Sequence, residues 1–343
     1  MAVSYHPLRR RATEMLLLAT LFWGISFPVM KAIGLIQHRL LAHADTWFAA
    51  SSAVMVRFGL AALLMLAWTW RSLRRITGLE VWQGFGLGAC AGMGMLFQVD
   101  GLSYTTASVS AFLTQCCCLI LPWFVAARDR AWPSGTIILC SMMAAGGVAV
   151  LTGVDLRHFR LGRGEWETLI SSVIFTGQIL WLERPVFAKN RVGHFTLVMF
   201  VTMTLFALPV AILTTQRPND WVVSYTSPTV VGLILVLVIF CTMVAFVLMN
   251  HWQPILPAAE AGLIYAAEPI FASLFALFLP GWLSAVAHVD YPNEKATSPL
   301  LLGGGLITAA NVLVQIRAAR MLTAASPPTS IEARSRLSEK RDG

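Results

Sequence analysis

Ten apolar stretches, each long enough to cross a lipid bilayer as a helix, constrain this chain more than any other feature. A helix rises about 1.5 Å per residue, so about 20 apolar residues span the hydrocarbon layer. The stretches run approximately over 15–36, 48–70, 80–99, 104–127, 133–152, 166–188, 194–213, 228–250, 257–280 and 298–319. The third and fourth are separated only by Asp100, Gly101, Leu102 and Ser103. With 57% hydrophobic and 12% charged residues, the chain is far more apolar than a soluble domain. The expected fold is an all-α integral membrane protein of ten transmembrane helices. Its net charge of +8 does not point to nucleic acid, because Arg and Lys fall in short runs between apolar stretches and form no continuous basic face.

Cytoplasmic loops are enriched in Lys and Arg, and this bias sets the orientation. With the N-terminus inside, the inner segments carry Arg9, Arg10 and Arg11, then Arg71, Arg74 and Arg75, then Arg128 and Arg130, then Arg184, Lys189 and Arg191, and finally a basic C-terminal segment. The outer segments carry Arg39, Arg217, Lys295 and one discordant cluster, Arg157, Arg160 and Arg163. Both termini are therefore expected on the cytoplasmic side of a plasma (inner) membrane. Ala42, His43 and Ala44 imitate a leader cleavage site, but the preceding apolar run is too long for a signal core and contains Lys31. Residues 1–14 read as a cytosolic N-terminal segment, 320–343 as a disordered cytosolic tail, and 281–297 as an inserted outer loop.

Shifting the chain on itself by 151 residues places Ala107 on Ala258, Ala111 and Phe112 on Gly262 and Leu263, and Phe124 on Phe275. The same shift lays stretches one to five on six to ten. Five is odd, so the second copy must enter the membrane the other way up, an arrangement many secondary transporters share. The expected units are two five-helix repeats, 15–152 and 166–319. The segments LFWGISFPVMKAIG at 21–34, VRFGLAALLML at 56–66, FQVDGLSYTTASVSAFLT at 97–114 and PAAEAGLIYAAEPIFASLFALFL at 257–279 resemble the ten-span EamA-type members of the drug/metabolite transporter superfamily. The chain departs from that pattern at Cys118, where a proline is usual, and at Pro280, Gly281 and Trp282, where Gly-Glu is common. The resemblance implies two EamA repeats around a central cavity and export of small metabolites such as amino acids or drug-like compounds.

Charge within hydrocarbon is costly and normally faces a cavity or a partner. Glu268 lies near the middle of the ninth stretch, followed by Pro269, which removes a backbone donor. It is a candidate for amine recognition or proton coupling, or a structural carboxylate. Arg57, deep in the second stretch, recurs in the resembling segment and is a candidate counter-charge. Its alternative role is a buried pair with Glu268 or with helix-end carbonyls. Lys31 is expected to snorkel, Glu183 and Glu260 to reach cytosolic water, and Asp100 to sit at the outer rim. Gln98, Gln115, Gln178 and Gln253 can read a polar substrate, and Trp23 and Tyr265 can supply aromatic contacts. Phe97, Tyr104 and Trp181 are further aromatic candidates. The competing role for each amide is hydrogen bonding between helices.

Gly84, Gly88 and Gly92 form a smooth stripe for close helix packing. Neighbouring Cys116, Cys117 and Cys118 point about 100° apart and cannot share one metal, and no cofactor is expected. No lysine follows a glycine, so no phosphate loop of an ATP-driven pump is present, and no zinc-protease or nucleophile-elbow motif occurs. The reading is a non-enzymatic secondary transporter or facilitator with a small-molecule substrate, a lipid environment and possible proton coupling. An intramembrane enzyme and a non-transporting receptor are the alternatives.

Overall fold

A computed structural model describes residues 5–128, 130–153, 161–182, 184–256 and 258–325. Among these, every regular element is helical: α1 (Tyr5–Leu40), α2 (Thr46–Thr69), α3 (Gly78–Leu102), α4 (Ala107–Thr114), α5 (Cys117–Arg128), α6 (Gly135–Thr152), α7 (Arg163–Leu182), α8 (Val192–Thr214), α9 (Asp220–Val223) and α10 (Pro228–Val236). A π-helical run, Leu237–Val244, joins α10 to α11 (Ala245–Trp252), and α12 (Ala258–Tyr265), α13 (Glu268–Ala276), α14 (Leu279–Ala287) and α15 (Ser298–Ala325) follow. Arg157, Arg160, Glu183, the side chain of Glu260 and the segment beyond Ala325 lie outside the described residues.

Eight helical spans among the described residues are long and apolar enough to cross a membrane. A ninth arises if Ala261–Ala276 and Leu279–Ala287, bent by 53°, count as one. α7 is 20 residues long but is not in that set. Glu165, Glu167, Ser171, Ser172 and Gln178 dilute its hydrophobicity. The third and fourth stretches do not merge, because Thr106 caps α4 by accepting from Val109 N at 3.2 Å. α1 begins at Tyr5 and α15 continues past Arg320, so both helices extend beyond the sequence-based boundaries.

The fourth and ninth stretches are each broken. α4 and α12 are both eight residues long, each is followed by two non-helical residues, and α5 and α13 resume at Cys117 and Glu268. These positions are separated by the same 151 residues as the sequence register. The packing has a matching pattern. α3 lies along α7, as α1 lies along α11, while α13 packs on α1 and α5 on α7. The pairs α2 with α8, α4 with α13 and α6 with α15 join the two sets of helices.

The glycine stripe is where α8 approaches α3. A Cβ on Gly84 would lie 2.5 Å from Phe195 O, and one on Gly88 2.6 Å from Met199 O. Gly88→Leu is therefore expected to wedge α3 off α8 and destabilise the protein by about 1–3 kcal/mol. Gly146→Ala, at a helical position with no atom within 4 Å of its Cβ, is expected to leave stability unchanged or higher. Thermal unfolding of the two detergent-purified variants against wild type checks both.

The segment after α13 is folded against the first half of the chain. Glu294 Oε1 accepts from Ala107 N at 2.8 Å and Ser108 N at 3.4 Å, capping α4. Lys31 reaches the end of α3. Its Nζ donates to the carbonyls of Leu102, at 2.9 Å, and Thr105, satisfying the C-terminal end of α3 where a cation is favoured.

Candidate functional site

Polar side chains on membrane helices avoid lipid, so the cavities are lined by the residues that cannot face outward. A central cavity of about 120 Å³ is bounded by α1, α2, α3, the α4–α5 break, α7, α11 and the α12–α13 break. Trp23, Arg57, Gln98, Gln115, Gln178, Gln253, Tyr265 and Glu268 all line it. The structure thus brings these eight candidates around one cavity, while Phe97, Tyr104 and Trp181 do not line it. Phe27, Phe175, Phe246 and Met249 complete the apolar part. Nothing in their identities distinguishes a cavity-facing aromatic or Met from a lipid-facing one.

Several polar groups are already engaged. Gln98 Nε2 donates to Thr114 Oγ1 at 2.8 Å, Gln115 Nε2 to Cys118 Sγ at 3.2 Å, and Tyr265 OH to Gln253 Oε1 at 2.8 Å. The Gln98 and Gln253 bonds tie neighbouring segments together, whereas the Gln115 contact is local to the α4–α5 break. Trp23 packs against Phe246 and Tyr265 with ring centroids 5.5 and 5.7 Å apart, and its Nε1 is buried without a partner. That donor sits in the cavity wall. Trp181 and Phe97 face elsewhere: Trp181 Nε1 donates to Gln83 O at 3.2 Å, and Phe97 packs on Trp47.

Arg57 is 3% exposed and is not paired with Glu268. Its Nε donates to Thr242 Oγ1 at 2.6 Å, its Nη2 to Cys241 O at 3.0 Å, and its Nη1 to Met30 Sδ at 3.3 Å. All three partners are neutral, and two belong to the π-helical run. A π-turn shifts the backbone hydrogen-bond register, and such turns recur at functional sites. The partners of Arg57 are a hydroxyl, a thioether and a mid-helix carbonyl, neither Glu268 nor a helix-end carbonyl. Glu268 stands at the start of α13, where a helix N-terminus favours an anion, and forms no hydrogen bond or salt bridge among the described residues.

A second cavity of about 190 Å³ lies between the C-terminal half of α1, the start of α2 and the end of α3, and Lys31, Gln37, Thr46 and Tyr104 are in its wall. Arg57 lines it as well, so one residue borders both spaces. Asp100 lies two residues from the end of α3. It is fully buried and paired with Arg163 at 2.6 Å, which gives that member of the discordant cluster a structural role. Among the described residues no cluster of His, Cys, Asp and Glu is arranged to hold a metal, and the six cysteines are free thiols.

No family model matches the chain. An uncharacterized transporter of Archaeoglobus fulgidus is 26% identical over 310 residues, covering 88% of this chain and 85% of that protein. An uncharacterized transporter of Haemophilus influenzae is 34% identical over 113 residues, covering 33% of this chain and 64% of its own. A solved crystal structure shares the fold at a TM-score of 0.55 and 16% identity, over 91% of this chain and 99% of that one. These relatives, together with the apolar helices, support a multi-pass membrane transporter.

Proposed function

We propose that this chain is a secondary transporter that moves a small zwitterionic metabolite, of the amino-acid type, by alternating access. The observation that carries the reading is the charge arrangement of the central cavity. Arg57 and Glu268 share its wall without neutralising each other, one bordered by neutral groups and the other without a partner among the described residues. Buried charges are ordinarily paired, and a solute with both an ammonium and a carboxylate supplies both missing partners. Trp23 Nε1, the four glutamines and the surrounding rings offer polar and apolar contacts for its remaining atoms.

Two five-helix halves, 15–152 and 166–319, inverted in the membrane and giving ten spans, are part of the same reading. α7 and the broken α12–α13 unit then serve as the two spans that apolarity alone does not mark. The coincident breaks 151 residues apart and the matching packing of the halves support it. So does the resemblance to EamA-type members of the drug/metabolite transporter superfamily. Export, a plasma membrane location and cytoplasmic termini follow from that resemblance and the positive inner segments.

The test is counterflow in proteoliposomes loaded with neutral amino acids, their decarboxylated amines and their deaminated acids. Exchange of a zwitterion with weaker exchange of both single-charge analogues is expected. Equal exchange of amine and zwitterion would remove Arg57 from recognition. Stabilisation of the protein without exchange would instead favour a receptor.

A further inference from the structure

At the end of the α3–α7 seam, away from the central cavity, two acids share one base. Arg163 Nε donates to Glu167 Oε1 at 2.8 Å, and Arg163 Nη2 donates to Asp100 Oδ2 at 2.6 Å. The Nε–Nη2 edge of a guanidinium ordinarily takes both oxygens of a single carboxylate. Here it holds one oxygen from each of two, so the acids are crowded together. Their other oxygens, Asp100 Oδ1 and Glu167 Oε2, are buried and find no donor among the described residues. Asp100 is 0% and Glu167 7% exposed. The backbones close in beside them: a Cβ on Gly101 would lie 2.9 Å from Gly164 O, and one on Gly164 2.6 Å from Gly101 O.

The other ionisable groups around the seam are committed or turned away. Lys31 of α1 is bound to carbonyls, Asp45 caps α2, and Glu294 caps α4. Glu165 of α7 lies toward Gly162, Tyr104 accepts from Arg163 Nη1 at 2.6 Å, and α4 carries no ionisable side chain. Among the described residues one cation therefore faces two carboxylates. Two like charges at such spacing do not both ionise readily, and each has an oxygen free to share a proton.

We infer that Asp100 and Glu167 form a proton-binding pair, holding a single proton on their unpartnered oxygens and sealing the α3–α7 seam. Arg163 links the pair to the second cavity, since Tyr104 OH also meets Thr46 Oγ1 at 2.9 Å and both residues line that space. Loss of the proton to water leaves two negative charges on one guanidinium and loosens this wall. The coupling of the pair to transport rests on the transporter reading, whereas the proton site itself does not.

Infrared spectroscopy of the full-length protein in liposomes at neutral pH tests the site. A protonated-carboxyl carbonyl band that shifts in heavy water is expected in wild type. It should persist in Glu268→Gln, which removes any band of the buried Glu268 carboxyl, and in that background it should vanish in Asp100→Asn and in Glu167→Gln alike, because either leaves one acid for one guanidinium. If those two variants do not fold, Arg163→Gln should strengthen the band by leaving both acids unpaired. A band unchanged in Asp100→Asn and Glu167→Gln, or in Arg163→Gln where those do not fold, overturns the proposal. So does the absence of any such band in wild type, including the case where sodium, not a proton, stabilises the seam. If the band behaves as stated but no solute is exchanged, the proton site stands and the transporter reading falls.

Discussion

Glu268→Gln is expected to weaken binding of an amine-bearing solute by about ten- to a hundred-fold while leaving thermal stability unchanged or higher. A hydrogen bond to a charged group is worth about 1.5–3 kcal/mol, and each 1.4 kcal/mol is a factor of ten in affinity. Stability is spared because Glu268 holds no hydrogen bond or salt bridge among the described residues, so the amide leaves no protein partner stranded. Removing an unpaired charge from a low-dielectric wall is itself favourable. Arg57→Met should behave differently. It strands Cys241 O and Thr242 Oγ1, so it should lose stability together with affinity for the carboxylate end. Ligand-induced thermal shifts with paired amine, acid and zwitterion separate the two variants. Unchanged affinity in Glu268→Gln would take that carboxylate out of the site.

Glu80→Ala is expected to give the largest loss of stability, about 3 kcal/mol, seen as a fall of several degrees in Tm. Glu80 is 2% exposed and joins the start of α3 to the start of α8. Its Oε1 accepts from Arg191 N at 3.0 Å and Nε at 2.9 Å. Its Oε2 accepts from Thr77 N at 2.8 Å and meets His194 Nδ1 at 3.0 Å. Truncating one partner of a buried charged pair costs about 3–5 kcal/mol. The lower end applies because the Arg191 side chain is 42% exposed and can turn to water. Glu80→Gln, which keeps the reach of the cap without its charge, should lose less. Equal Tm values for Ala and wild type would show that the network contributes nothing net.

The Glu80 clamp also marks a readable signal. Thr77 and Glu80 have the spacing of a capping box before an apolar run, and both reciprocal bonds are present. Nothing in sequence, however, indicates that the same carboxylate reaches Arg191 and His194 on another helix. The eight candidate side chains lining the central cavity were legible for a plain reason: in largely apolar helices, the few polar groups have to turn away from lipid. Their neighbours Phe27, Phe175, Phe246 and Met249 were not legible, since apolar residues face lipid and cavity alike. The acceptors of Lys31, the carbonyls of Leu102 and Thr105, were not legible because they lie on a distant segment.

The sequence by itself determined an all-helical membrane chain and most of the span positions, because hydrophobic length is a local property that survives without a structure. It also pointed to α4–α5 and α12–α13 as corresponding segments, although only coordinates reveal that both break. The tertiary structure decided which charges meet. It separates Arg57 from Glu268, gives Arg57 to the π-helical run, and sets Asp100 and Glu167 on one guanidinium. Pairing between distant helices depends on their rotation and on the close approaches that glycines permit, and neither is written in the hydropathy of a single segment.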